Sequence, residues 1–139
     1  MEITRGEIFL DPYFVYDPQK PEQHCDKYLL ILNKDHTHFE DVVYVPATTN
    51  KNEWPLKAGC IEDWKLFYFK TDGSFYRAGT VIQLQEIRKH VGEEFEDMVA
   101  AKGIQRMHKR IYQEKFRQII NCLKKMREDI PVDIQSLIF

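Results

Sequence analysis

The chain has 139 residues, enough to bury one sizeable core, and its 43% hydrophobic and 13% aromatic content excludes an intrinsically disordered chain. A net charge of −2 excludes a uniformly basic polyanion binder, but the charge is uneven: residues 1–101 carry −7, residues 102–127 carry +8, and Glu114 is the single acid of the second stretch. Apolar runs such as residues 28–32 are too short to span a bilayer. The opening MEITRGEIFL, with Glu2 and Glu7 and no apolar run, is not a secretory signal, so a cytoplasmic protein without a membrane segment is expected. Cys25, Cys60 and Cys122 are odd in number and widely spaced. They suit reduced thiols and lack the CxxC spacing of a structural zinc site.

In chain order, residues 6–10 read as a short strand halted by Asp11-Pro12. The loop behind it holds Pro12, Pro18 and Pro21, none of which can donate to a sheet ladder. Residues 27–32 and 42–47 are rich in β-branched and aromatic side chains and read as strands, followed by a loop over 50–59. Residues 65–70 and 75–77 flank Thr71-Asp72-Gly73-Ser74, a hairpin turn in which Asp-Gly accepts positive φ, and 80–84 is the last strand. Many short strands without alternating helices point to a barrel or sandwich. Past Leu84 the period lengthens. Residues 85–90 and 93–101 read as helices, the latter ending near Gly103. Residues 104–126 read as one long helix with an apolar stripe through Ile104, Met107, Ile111, Tyr112, Phe116, Ile119, Leu123 and Met126. Lys102, Arg106, Lys109, Arg110, Arg117, Lys124 and Arg127 fall largely opposite that stripe. Pro131 stops this helix, and the tail 132–139 is apolar enough to dock. The reading is a single mainly β domain, with a barrel over 1–90 and a C-terminal helical extension over 91–139.

Three stretches, in order, resemble the PemK/MazF (Kid-like) family of toxin endoribonucleases. Gly6-Glu7-Ile8-Phe9-Leu10 is similar to the family's opening strand, Lys27-Tyr28-Leu29-Leu30-Ile31-Leu32-Asn33 to the strand after its long first loop, and Val42-Val43-Tyr44-Val45-Pro46-Ala47-Thr48-Thr49-Asn50 to its strand ending in Pro-x-Thr. The segment 80–88 resembles the closing strand less specifically. The resemblance implies an SH3-like β-barrel that forms a homodimer and cleaves single-stranded RNA without a metal ion or other cofactor. The 2′-hydroxyl attacks the neighbouring phosphate, and an antitoxin protein blocks the groove. It implies Lys27 and Thr48 as the catalytic pair, with Lys27 standing where the family has arginine. Lysine is a point charge without the two parallel donors of a guanidinium. Gln83 and Gln85 occupy the positions where some members carry an arginine and an aspartate. His24, Thr49, Asn50, Arg106, Lys109 and Arg110 are the expected RNA-binding residues, with His24 the titrating group near neutral pH.

Each functional reading has a plain alternative. Lys27 is also an ordinary strand-start cation beside Asp26, and Thr48 and Thr49 are ordinary strand residues. His36-Thr37-His38 offers a metal pair but sits in a turn-like context, and Cys25 beside His24 lacks an orienting partner in the sequence. Trp54 and Trp64 offer base-stacking rings or loop anchors. The basic face of 102–127 is a solvated helix face, a phosphate-contacting ridge, or the outer side of a self-associating helix. A barrel of this type without catalysis, binding nucleic acid or a protein, is the competing function.

Overall fold

The computed structural model describes residues 2–34, 41–50 and 54–139, Lys102 by its backbone alone. His36-Thr37-His38 lies outside the described residues. Eight strands among these residues form one antiparallel sheet: β1 Glu7–Val15, β2 His24–Ile31, β3 Val42–Thr49, β4 Gly59–Ile61, β5 Leu66–Tyr68, β6 Thr80–Gln83, β7 Arg88–His90 and β8 Gln105–Arg110. The order across the sheet is β4-β5-β6-β3-β2-β1-β8, with β7 paired to β3. Three α-helices follow the seven leading strands in sequence: α1 Gly92–Lys102 before β8, then α2 Gln113–Lys125 and α3 Val132–Ile138.

The period of two along the strands sorts their apolar residues into two cores. Ile8, Leu30, Leu32, Val43, Val45 and Ile82 face one side, where Ile119, Ile120 and Leu123 of α2 and Ile134 and Ile138 of α3 cover them. Phe9, Phe14, Leu29, Ile31, Val42 and Tyr44 face the other, under Phe95 of α1 and Ile104. The apolar tail therefore docks as expected, as α3.

The strand readings over 27–32, 42–47 and 80–84 agree closely with β2, β3 and β6. Several other elements differ. Pro12 does not stop β1: the ladder with β2 slips between Asp11 and Phe14, and this bulge accommodates a residue without an N–H. Pro46 lies inside β3 because β3 pairs with β7 through residues 42–44 and with β6 through 47–49, so Pro46 falls at the changeover. Residues 85–90 are not a helix but a 3₁₀ turn, Leu84–Glu86, and the strand β7. Residues 75–77 are not a strand; the segment is a loop closed by Gly73 N–H donating to the Tyr76 carbonyl at 2.7 Å. In that loop the positive φ belongs to Ser74, at 71°. Gly73 is required for a different reason: a Cβ there would lie 2.3 Å from the buried Phe69 ring.

The largest departure is in 104–126. The first part is the edge strand β8, paired to β1 through Glu7 with Arg110 and Phe9 with Arg106, and only the remainder is helical. An apolar stripe at spacings of three and four suits a helix, but the unpaired edge of β1 takes up residues 105–110 as a strand. The thiol expectation is also overturned. Cys60 of β4 and Cys122 of α2, separated by 62 in sequence, are joined in a disulfide, leaving Cys25 free. Packing of α2 against β4 brings the two together. No helix among the described residues is long and apolar enough to cross a membrane.

Two outcomes follow from this packing. Reduction of Cys60–Cys122 is expected to lower the unfolding free energy by roughly 2–4 kcal/mol, measured by denaturant unfolding with and without reductant, because it releases a long loop in the unfolded chain. Gly73→Ala is expected to cost about 1–3 kcal/mol through overpacking against Phe69, whereas Gly79→Ala, whose Cβ meets nothing within 4 Å, costs only the strain of a positive φ.

Candidate functional site

The sheet is dry along most of β2 and β3, but the start of β2 and the end of β3 run past both cores. Tyr28 pairs with Ala47, so the next rung sets Lys27 beside Thr48. Lys27 Nζ donates to Thr48 Oγ1 at 2.8 Å. On its other side Lys27 is in register with Asp11 of β1, whose buried carboxylate accepts from the Tyr13 N–H at 2.9 Å. Cross-strand partners share a face, so Asp11, Lys27 and Thr48 form one row over three strands.

Further groups complete the cluster. The Tyr16 ring lies 5.8 Å from Lys27 Nζ, and its hydroxyl donates to Gln83 Oε1 at 2.6 Å. Arg88 donates to the Tyr16 carbonyl at 3.3 Å, lies over the Phe14 ring at 4.2 Å and pairs with Glu86 at 3.6 Å. Burial pushes the Tyr16 phenol up, the Gln83 hydrogen bond opposing it, so Tyr16 is a neutral donor at neutral pH. A groove of about 770 Å³ opens at this end of the strands, with Asp26, Lys27, Thr48, Thr49, Arg77 and Lys109 in its walls. The walls thus carry three cations and one acid.

The expected residues separate into those the fold gathers and those it uses elsewhere. Lys27 and Thr48 meet directly, and Thr49 and Lys109 line the same groove. Lys109 reaches it through a bulge. Two steps along β1, from Glu7 to Phe9, match four along β8, from Arg110 to Arg106, and His108 within the bulge has φ 54°. Such bulges re-aim side chains. His24 is exposed at the start of β2, in edge contact with Tyr13 at 5.1 Å, and the strand period turns it to the face opposite Lys27. The Asn50 amide is spent on its own loop, donating to the Trp54 carbonyl at 3.0 Å and accepting from the Trp54 N–H at 3.2 Å. Arg106 is a structural cation, paired with the nearly buried Glu7 carboxylate and lying over Phe9 at 5.6 Å. Arg110 donates to the Arg5 carbonyl at 3.0 Å and to Thr4 Oγ1, away from the groove. Gln83 joins the cluster through Tyr16, while Gln85 is held by its backbone N–H on the Lys65 carbonyl at 3.2 Å.

Tyr16 and Arg88 were missed by sequence reasoning. Tyr16 sits in a stretch that its prolines mark as loop, and Arg88 in a stretch whose period reads as helix. Trp54 and Trp64 contact each other edge to face at 5.7 Å with about half of each exposed. Among the described residues no three His, Cys, Asp or Glu side chains gather as a metal site. Compared with known proteins, the chain matches no family model, no curated protein and no solved structure.

Burial raises the phenols of Tyr16, Tyr44 and Tyr76 above the ordinary value of 10.0. A raised folded-state value means that the neutral phenol is favoured by folding. The stability it lends is complete below pH 10 and is lost as pH rises beyond that point. A spectrophotometric titration is therefore expected to show these three of the seven tyrosines ionising late, together with alkaline unfolding. Arg106→Ala is expected to cost on the order of 3 kcal/mol, read by chemical denaturation, since it removes the cation from the buried Glu7 carboxylate and leaves it the Thr4 N–H at 3.2 Å.

Proposed function

We propose that this protein is a PemK/MazF-like endoribonuclease toxin, built on an SH3-like barrel, that cleaves single-stranded RNA without a metal ion. The 2′-oxygen bonds to the adjacent phosphorus and the bond to the 5′-oxygen of the next nucleotide breaks. The products are a 2′,3′-cyclic phosphate and a 5′-hydroxyl, the proton lost by the 2′-hydroxyl balancing the one gained by the leaving oxygen. The observation that carries the reading is the 2.8 Å contact between Lys27 Nζ and Thr48 Oγ1 at the rim of a groove with further cations. These are the two residues that the family resemblance picks out, and they lie 21 apart in sequence.

The chemistry asks for positive charge where the phosphorane oxygens gain negative charge, and for donors that hold the phosphate in line. Lys27 supplies the charge, and Thr48, already its hydrogen-bond partner, orients a non-bridging oxygen. The Tyr16 ring borders Lys27 at 5.8 Å while its hydroxyl is committed to Gln83, so Tyr16 positions the lysine rather than donating to substrate, and His24 is turned to the opposite strand face. Arg77 and Lys109 hold the flanking phosphates by charge. Lys27 cannot grip a phosphate through two parallel donors as an arginine does, so the flanking cations carry more of the binding. In this reading the protein acts in the cytoplasm as a homodimer and an antitoxin occupies the groove. The Cys60–Cys122 bridge pulls against that location, since disulfides persist in oxidising compartments.

A second reading, a barrel that binds nucleic acid or a protein without cutting, is favoured by the neutral Gln83 and Gln85 where some members of the family carry charge. Cleavage of a mixed single-stranded RNA pool in EDTA separates the two. Under the first reading the wild type cuts, Lys27→Ala and Thr48→Ala each lose about 100-fold or more, and Lys27→Arg retains most of the rate. A folded wild type that binds the pool and leaves it intact sinks the nuclease reading in favour of the second.

A further inference from the structure

A second basic opening, of about 720 Å³, lies on the other side of β8 between the N-terminal segment and α2. Arg5, Arg110, Arg117 and Lys124 line it, and no acidic residue does. On α2, Gln113, Arg117, Asn121 and Lys124 succeed one another at steps of four, four and three, which stacks them along one side of the helix. The exposed Arg117 and Lys124 have no carboxylate partner among the described residues. Arg110 is oriented by neutral oxygens, the Arg5 carbonyl and Thr4 Oγ1, which fix its guanidinium without cancelling its charge. Phe116 lines the same opening beneath Arg5, whose guanidinium lies 5.2 Å from the ring centre.

Consecutive residues at the end of β8 line the two openings. Lys109 lines the groove that holds Lys27, and the next residue, Arg110, lines this cavity. An anion that fits both must carry charge at regular intervals along its length. A single nucleic-acid strand does so at every nucleotide, whereas a peptide does so only where its sequence is acidic. We propose that the cavity is a second phosphate site, in which Arg110, Arg117 and Lys124 hold the backbone of a single strand after it crosses β8 from the Lys27–Thr48 groove. The proposal rests on single-stranded RNA as the ligand of that groove, and it concerns binding alone.

The test uses the full chain and a fluorescent 2′-O-methyl oligonucleotide of about twenty nucleotides, which has no free 2′-hydroxyl and cannot be cut by the proposed route. Affinity is read by anisotropy over a salt series. Each phosphate contact on a single strand contributes about 0.7 to the slope of log K against log salt. Arg117→Ala/Lys124→Ala is expected to make the slope shallower by about 1.4 and to weaken binding at 0.1 M salt roughly 25-fold. Arg117→Lys/Lys124→Arg is expected to restore both. An unchanged slope in the alanine pair overturns the proposal. So does displacement of the strand by polyglutamate at lower charge concentration than by unlabelled oligonucleotide, which would assign the cavity to an acidic protein. If the slope responds as stated while RNA remains uncut in the cleavage assay, the second phosphate site stands and the nuclease reading falls.

Discussion

β2 and β3 bury both of their faces along most of their length, and the polar site begins where that burial stops. Leu29, Leu30, Ile31 and Leu32 are all inaccessible, as are Val43 and Val45, because α2 and α3 cover one side of the sheet and α1 the other. A lysine within that stretch would be desolvated without compensation. Two residues before Leu29 the cover ends, and Lys27 emerges half-buried with its ammonium on Thr48. The same boundary passes through β3 between Ala47 and Thr49. The site is thus a consequence of helices that cover one end of two strands and not the other.

α2 does more than cover the sheet. It follows β8 at one sheet edge and is bonded through Cys122 to Cys60 in β4 at the other. The edges at β4 and β8 are not paired with each other, so helix, disulfide and the 69–79 loop, which bridges to Ile111 through Ser74, hold the ends of the path together. Edge strands invite pairing with other chains. On β8 the bulge at His108 and the exposed basic residues that flank it discourage such pairing. The same bulge divides the cations, sending Lys109 to one opening and Arg110 to the other.

The +8 of residues 102–127 therefore has no single meaning. Arg106 is consumed by Glu7, and Arg127 lies over the Phe139 ring at 4.9 Å and bonds Gln135 at 3.0 Å. Lys109 lines the groove, while Arg110, Arg117 and Lys124 line the cavity. Local spacing treats these residues as one face of one helix. Their actual roles depend on which residues the β1 edge recruits into β8, and that edge lies about a hundred positions away in sequence.

Composition and period alone were enough to indicate a mainly β domain with helices at its C-terminal end, the strands at 27–32, 42–47 and 80–84, the glycine stop at 103 and the docking tail. These depend on side-chain pattern and backbone stereochemistry within a few residues. The pairing of Lys27 with Thr48 was legible only through a resemblance, since no local signal links positions 21 apart. The tertiary structure alone decided the bulge that carries β1 through Pro12, the changeover that admits Pro46 into β3, the conversion of 105–110 into a strand, the Cys60–Cys122 bridge and the recruitment of Tyr16 and Arg88. Each is set by a hydrogen-bonding edge or a packed neighbour distant in sequence, and an intrinsic preference of well under 1 kcal/mol per residue yields to such a partner.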